Sequence, residues 1–563
     1  MPKVSQIRTL GALKASGYRP RPVKQELRDN LRERLTGGGP LFPGILGYDR
    51  TVIPAVINAL LAGHDFILLG LRGQAKTRIL RSLTTLLDPA IPVLAGSELN
   101  DDPLAPISVP GQRLVAEAGD DAPVDWLSPE QRYNEKLATP DVSIADLLGD
   151  IDPIKAATRK LTFADPEVIH FGIVPRTNRG IFAINELPDL SPRIQVGLFN
   201  ILEERDLQIR GFPVRIPLDL LLVFSANPED YTNRGSIITP LKDRISSQIL
   251  THYPPDATVA ADITRQEAWT ERDVANVANA ANAASIVIPE EFRLMIEEIS
   301  FAARESDLVD QSSGVSARVA ISALELLASN LERRALALAG APRTGTTPPA
   351  TATATATARA AGKAAAPPPA GAAASSASTS ASAAGSDADI AVYPRLVDLQ
   401  MLLPAITGKV EMVYEGEQQG AEVVARRLIG QAVKKAFDRR FPEVGKELGS
   451  GGEDDKGPYA GIVRWFAEGN AVNLSDEQPF AEYEAEMRRV PGLADIANRY
   501  GGRSREERAL AAELVLEGLH QHLKLARNDL DSQVSYKEMV KFQLLKPRGG
   551  SGRRGSGRGG DVN

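Results

Sequence analysis

Short runs of unbroken apolarity constrain this chain most: "FILLG" at 66–70, "PVLAG" at 92–96, "IFAIN" at 181–185 and "LLLVFSAN" at 220–227. A strand that met water on one face would alternate apolar and polar residues. These runs do not alternate, so each is expected to be buried on both faces, as in a parallel sheet covered by helices. Helical patterns separate the runs, which predicts an α/β fold with a parallel sheet. From 254 to 338 the pattern turns helical, with "EEFRLMIEEISFAARES" and "SARVAISALELLASNLERRAL" carrying apolar residues three and four apart.

The first run leads straight into "LRGQAKTRILRSLTTLL". A buried strand, a glycine-containing loop and a helix in that order form a phosphate cradle: backbone N–H groups curl round an anion and a helix N-terminus points at it. The pattern GxxxxGK[ST] is met by Gly70, Lys76 and Thr77, with Ala75 in place of the second glycine. Gly70, Gly73, Gln74 and Ala75 would supply the cradle's backbone, Lys76 a charge for the outer phosphates and Thr77 a hydroxyl for magnesium. Ala75 keeps its N–H and adds one methyl group, so the loop survives if its backbone angles suit a residue with a Cβ.

The third and fourth runs end in polar residues. Asn185 and Glu186 close "IFAINE", where nucleotide hydrolases of this kind usually carry an Asp-Glu pair, the Asp holding a magnesium-bound water and the Glu polarising the attacking water. Asn185 can accept a hydrogen bond but brings no charge, so metal binding is expected to be weaker. Asn227 would lie beside Glu186 if the two strands are neighbours, orienting water without acting as a base. Arg244 follows a loop and Arg318 begins a helix; taken alone, each reads as a surface ion pair.

Taken together, residues 42 to 330 resemble the AAA+ ATPases, and among them the magnesium chelatase ATPase subunit and its MoxR-like relatives. "FPGILGYDRTVIPAVINALLAGHDFILLG" is similar to that family's leading segment, which implies that backbone near Ile45 and Leu46 flanks the adenine. "ELNDDP", "LATPDVSIADLLGDIDPIKAA" and "GIVPRTNRGIFAINELPDL" resemble the chelatase insertion, and "LQIRGFPVRIPLD" its extra hairpin, turning at Gly211. The resemblance implies ATP and Mg²⁺ as cofactors, a self-assembled ring, expected to be a hexamer, and a von Willebrand A domain partner. It also implies that Arg244 reaches a neighbouring subunit's γ-phosphate and that Arg318 contacts the subunit's own nucleotide. Ala75, Asn185 and Ile238 depart from the family pattern, the last standing where another arginine is usual.

The organisation expected is a basic extension at 1–40, an ATPase core at 41–252 with an insertion at about 98–170 and a hairpin at about 206–219, and a helical lid at 253–339. A linker at 340–389 would follow, then the rest of the lid with a helical C-terminal region at 390–545, and a tail at 546–563. The 340–389 tract is Ala, Thr, Ser, Pro and Gly, which cannot bury enough apolar surface to offset its chain entropy. The Gly/Arg tail is expected to be disordered as well, and "KVEMVYEG" at 409–416 reads as a strand. Residues 1–25 hold six Lys or Arg and no acid, read as a mobile basic helix rather than a transit peptide.

Lys plus Arg number 65 against 72 Asp plus Glu, so no global charge points to nucleic acid or an anionic membrane. There is no cysteine, which excludes disulfides and thiolate chemistry. No stretch approaches the roughly 18 apolar residues that a spanning helix needs, and a cytoplasmic location is expected. His520 and His522, two apart on a helical pattern, would point to different faces. Three other readings stay open: a true chelatase subunit driving Mg²⁺ into a porphyrin, a sigma-54-type activator suggested by "SPRIQVGLFNILEERD" but lacking its GAFTGA loop, and an ATP-binding scaffold impaired in hydrolysis by Asn185.

Overall fold

The structure, a computed structural model, describes residues 7–39, 41–160, 166–209, 215–228, 236–270, 284–340, 390–441, 457–530 and 533–539. They divide into two compact units, one holding 1–392 and 401–429, the other 393–400 and 430–563. The first contains strands β1 (Phe66–Leu69), β2 (Ile91–Leu94), β3 (Val124–Leu127), β4 (Tyr133–Leu137), β5 (Gly149–Ile151), β6 (Ile169–Phe171) and β7 (Gly180–Asn185). Then follow β8 (Asp206–Gln208), β9 (Arg215–Pro217), β10 (Leu220–Ala226), β11 (Ser247–Leu250), β12 (Ala284–Ile286) and β13 (Ile390–Val392).

Five of these form the central sheet, in the order β11-β1-β10-β7-β4, and every neighbouring pair is parallel. The three middle strands are the runs 66–70, 181–185 and 220–227. Their alternate residues feed two separate cores. Ile67, Leu69, Phe182, Ile184, Leu222 and Phe224 face one side; Phe66, Leu68, Ile181, Ala183, Leu221 and Val223 face the other. Burying such side chains stabilises the sheet by about 1.5–3 kcal/mol each for the larger ones, which is why the strands need no polar face. This is the α/β P-loop architecture expected from the sequence, and helices dominate the later chain.

Some expectations fail. The 92–96 run is not in the central sheet: β2 pairs antiparallel with β3, Ile91 opposite Leu127. The sheet instead takes its edges from β4, which lies within the 98–170 stretch expected as an insertion, and from β11. Neither was legible because an edge strand is covered on fewer sides, and "YNEKL" is only partly buried along its length. "KVEMVYEG" is not a strand; Met412 makes one isolated bridge to Val309 and Tyr414–Gln419 is a helix.

The basic N-terminal segment is not a mobile helix either. Within residues 1–25, helix Leu10–Ala15 buries Leu10 and Leu13, Leu10 packing with Leu94 and Ala122, and the following helix Val23–Gly37 buries Val23, Leu27 and Leu31 against the same core face as Phe66 and Leu68. Arg132 grips Glu26 through two 2.7 Å bonds, both residues being buried. The hairpin expected at 206–219 is present as β8–β9, Leu207 opposite Ile216, while its turn, the 340–389 tract and the 546–563 tail lie outside the described residues.

The second unit has helices Ala460–Ala467, Phe480–Arg488, Leu493–Tyr500 and Arg505–Gln521, with β14 (Val472–Ser475), β15 (Leu525–Leu530) and β16 (Gln533–Glu538) in an antiparallel sheet of order β14-β16-β15. The helical pattern expected through 545 thus gives way to a hairpin at 525. Helix Arg505–Gln521 is buried from Ala509 to Leu519, including Glu513 and Glu517, which accept bonds from the Tyr483 and Tyr536 phenols at 2.6 Å each. His520 bonds Leu525 O at 3.1 Å and His522 bonds Asp438 at 3.0 Å. Among the described residues no helix is long and apolar enough to cross a membrane.

Candidate functional site

Parallel register brings the carboxyl ends of β1, β10 and β7 to one edge, the usual place for ligands on such sheets. Leu69 pairs with Ala226 and Phe224 with Ile184, so the loop after β1, Asn227 after β10 and the Asn185–Glu186 pair at the end of β7 emerge side by side. Gly70 N–H donates to Ala226 O at 3.2 Å, tying the loop to the neighbouring strand.

The loop is packed where its glycines stand. A methyl group on Gly70 would lie 1.9 Å from Thr251 Oγ1 and 2.1 Å from Gln74 Oε1; one on Gly73, whose φ is +74°, would lie 2.2 Å from Ser316 Oγ. Ala75 has φ +56° and ψ +17°, the left-handed conformation that glycine adopts freely. The alanine therefore preserves the loop's shape at a strain of about 1–2 kcal/mol. Among the described residues, the N–H groups of Gly73 and Ala75 meet no acceptor in the chain, while Ala75 O accepts from Ile79 N at 3.0 Å and starts the Lys76–Ser82 helix.

Lys76 is only 7% exposed, and its ammonium turns back on the loop, donating to Gly70 O and, at 3.1 Å, to Leu71 O. Thr77 Oγ1 stands 3.5 Å from Asn185 Oδ1, which also accepts from Ser225 Oγ at 3.0 Å. The Asn185 amide is thereby held with its oxygen toward the Thr77 hydroxyl. Glu186 has φ +55°, so the chain turns sharply there, between β7 and the short helix Leu187–Asp189. Asn227 is 2% exposed, one place beyond β10.

Behind the loop, Gln74 is buried and accepts from Thr251 Oγ1 at 2.6 Å. The Tyr48 hydroxyl lies 3.0 Å from Gln74 O and 2.7 Å from His252 O; burial pushes its phenol up to about 12, so it stays protonated as a donor. Ile45 is buried in the core at 6% exposure and Leu46 is 37% exposed. Gly44 between them and Phe42 has φ +77° and lies against the Arg78 guanidinium.

The two arginines differ. Arg318 is exposed and begins the helix Arg318–Gly340, its N–H donating to Ser316 Oγ at 3.2 Å, and Ser316 is the residue packed on Gly73. Arg244 ends the helix Thr239–Arg244 shortly before β11, the strand that pairs with β1. It bonds Glu203 at 2.7 Å and Pro240 O at 2.8 Å and lies 4.6 Å over the Phe199 ring. Ser225, Tyr48, Thr251 and Ser316 were not singled out from the sequence. Ser225 alone left a signal there, a hydroxyl inside an otherwise apolar strand.

No protein-family model matches the chain, and no curated protein matches it. Solved structures resemble parts of it. The complex of BchI and BchD of magnesium chelatase is similar at 20% identity over 53% of this chain and 89% of that one, with a TM-score of 0.29. A putative ATPase from Cytophaga hutchinsonii is similar at 16% identity over 75% and 98%, TM-score 0.25, and a RuvB variant from Thermotoga maritima at 12% over 53% and 67%, TM-score 0.27. Each TM-score lies well below 0.5, so the site's own geometry is what bears on function.

Proposed function

We propose that this protein is a nucleotide-driven motor of the AAA+ type, binding and hydrolysing ATP in a cytoplasmic ring, hexameric on family resemblance, that works on a von Willebrand A domain partner as a remodelling or metal-insertion chaperone. The carrying observation is the convergence of the loop 70–77, Asn185, Glu186 and Asn227 at one edge of the sheet. The donor set fits a triphosphate: N–H groups at Gly73 and Ala75 meet no acceptor in the chain, and the Lys76 ammonium rests on the loop's own carbonyls, which an anion would replace.

Within that reading each residue has a task. Lys76 binds the outer phosphates, and the Gly70–Ala75 backbone wraps the inner ones. Ile45 and Leu46 present backbone to the base. Thr77 and Asn185 would hold magnesium, which when bound neutralises charge on the phosphate oxygens. Glu186 polarises the attacking water and Asn227 orients it. Arg318 contacts the chain's own nucleotide, while Arg244 serves a neighbour. The Asn185 amide favours a slow enzyme, and a scaffold that binds ATP without turnover is the second reading.

Calorimetry tests the first step. Lys76→Ala removes a charge-assisted contact of about 1.5–3 kcal/mol and should weaken ATP binding at least tenfold; equal affinity in the two proteins would overturn the site. Turnover by the wild-type protein then separates motor from scaffold.

A further inference from the structure

The outer limb of the phosphate loop, Leu71 to Gly73, is held from outside by residues far away in sequence. Tyr253, three places beyond β11, donates its phenol to Arg72 O at 3.0 Å. The Arg304 guanidinium, from the helix Glu290–Glu305, lies 4.1 Å over the Tyr253 ring and 5.1 Å from the Phe301 ring. It also donates twice to Val315 O, at 3.2 Å from Nε and 3.0 Å from Nη2.

Val315 sits in the turn that closes over the loop. A methyl group on Gly314 would stand 2.6 Å from Tyr253 Oη and 3.0 Å from Leu71 Cδ1, and one on Gly73 would strike Ser316 and come within 3.1 Å of Ala317 N. From the other side Arg72 Nη1 bonds Glu411 Oε1 at 2.9 Å, and Glu411 also accepts from the Ser313 hydroxyl. Backbone bonds hold Glu411 in place: Asp310 N to Glu411 O at 2.9 Å and Val413 N to Leu308 O at 3.2 Å.

A largely buried guanidinium that stacks on tyrosine and shares one carbonyl is an expensive way to fill space. Burial lowers the pKa of Arg304, and its Nη1 meets no partner among the described residues. What the arrangement does provide is a rigid connection from the lid helix, through a ring and a hydroxyl, to a carbonyl of the loop itself.

We propose that Tyr253, Arg304 and Glu411 form a clamp through which the lid sets the conformation of the phosphate loop, with Tyr253 and Arg304 acting as positioning residues. The loop's role toward nucleotide rests on the function proposed above; the clamp itself does not. Glu411 lies beyond the 340–389 tract, so the clamp also connects the chain after that tract to the loop.

Hydrogen exchange on the full chain without nucleotide tests it. Tyr253→Phe keeps the ring under Arg304 and removes only the bond to Arg72 O; exchange of the two amides that tie the loop's ends, Gly70 N–H to Ala226 O and Ile79 N–H to Ala75 O, should accelerate roughly three- to tenfold, the scale of one hydrogen bond, with the rest of β7 and β10 unchanged. Arg304→Lys should do the same, and the double variant should show less than the product of the two effects, since both act through one contact. Exchange at Gly70 and Ile79 that stays at the wild-type rate in both single variants, or acceleration spread evenly over the sheet, would overturn the clamp. ATP affinity, measured alongside, separates the two readings. Faster loop exchange in a protein that binds no ATP upholds the clamp and removes the nucleotide assignment; unchanged exchange in a protein that binds ATP does the reverse.

Discussion

Ala75 and Asn185 are where this site departs from the pattern that its other residues follow. At Ala75 the missing glycine leaves its mark as backbone strain, because φ is +56°. Ala75→Gly should release that strain against a larger entropy cost in the unfolded chain, for a net gain of about 0.5–1 kcal/mol. Equilibrium denaturation would read it, and a loss of stability would show that the left-handed angle is not what the folded loop needs. Asn185 is held by the Ser225 hydroxyl and faces Thr77, so Asn185→Asp changes charge without changing shape. The variant should need less magnesium for half-maximal turnover. Glu186→Gln should bind ATP normally and fail to hydrolyse it, since the phosphate loop is untouched; turnover at the wild-type rate would remove Glu186 from its role.

At the scale of elements, the central strands were legible and the edges were not. β1, β7 and β10 are apolar on both faces, and that pattern is local. β4 and β11 join the sheet through backbone bonds made by residues of mixed polarity, which no window of sequence displays. The lid helix Glu290–Glu305 carries a feature of the same kind. Glu297 reads as one more charge on an amphipathic helix, yet it is 3% exposed, facing Thr264 and Arg304, and burial raises its carboxyl from 4.5 to about 7. The folded protein therefore holds this proton over a range in which the unfolded chain releases it. Its contribution to stability is full below about pH 4.5 and is lost as pH rises through about 7, amounting to about 3 kcal/mol at most. Glu297→Gln should flatten that part of the stability profile, and urea titrations at pH 5 and pH 8 would measure the difference between variant and wild type.

Across the whole molecule the ring is the feature to test. On the proposed reading Arg244 serves a neighbouring copy's nucleotide, so a role in hydrolysis requires a second copy. Arg244→Ala should bind ATP and hydrolyse it poorly, with a loss of up to about 10³- to 10⁵-fold if the arginine engages fully. Mixed with Glu186→Gln protein, it should regain activity at boundaries that pair an intact Glu186 with an intact Arg244. Mixed rings verified by mass spectrometry that recover nothing would count against action between subunits.

The sequence by itself displayed the carriers of the proposed chemistry in order: a glycine-containing loop with Lys76 and Thr77 after one buried strand, an Asn-Glu pair after another and an asparagine after a third. Those signals survive in one dimension because they are made of adjacent residues. Tertiary structure decided the rest. Register placed the three strand ends at one edge, the edge strands came from segments with no local signature, and the N-terminal helix that looked mobile buries Leu10 with Leu94 and Ala122. Tyr253 and Glu411 reach Arg72 from more than 180 residues further along the chain, and Arg304 stacks on Tyr253. Such contacts depend on how the chain closes on itself, and closure depends on the burial of the whole core rather than on any short stretch of it.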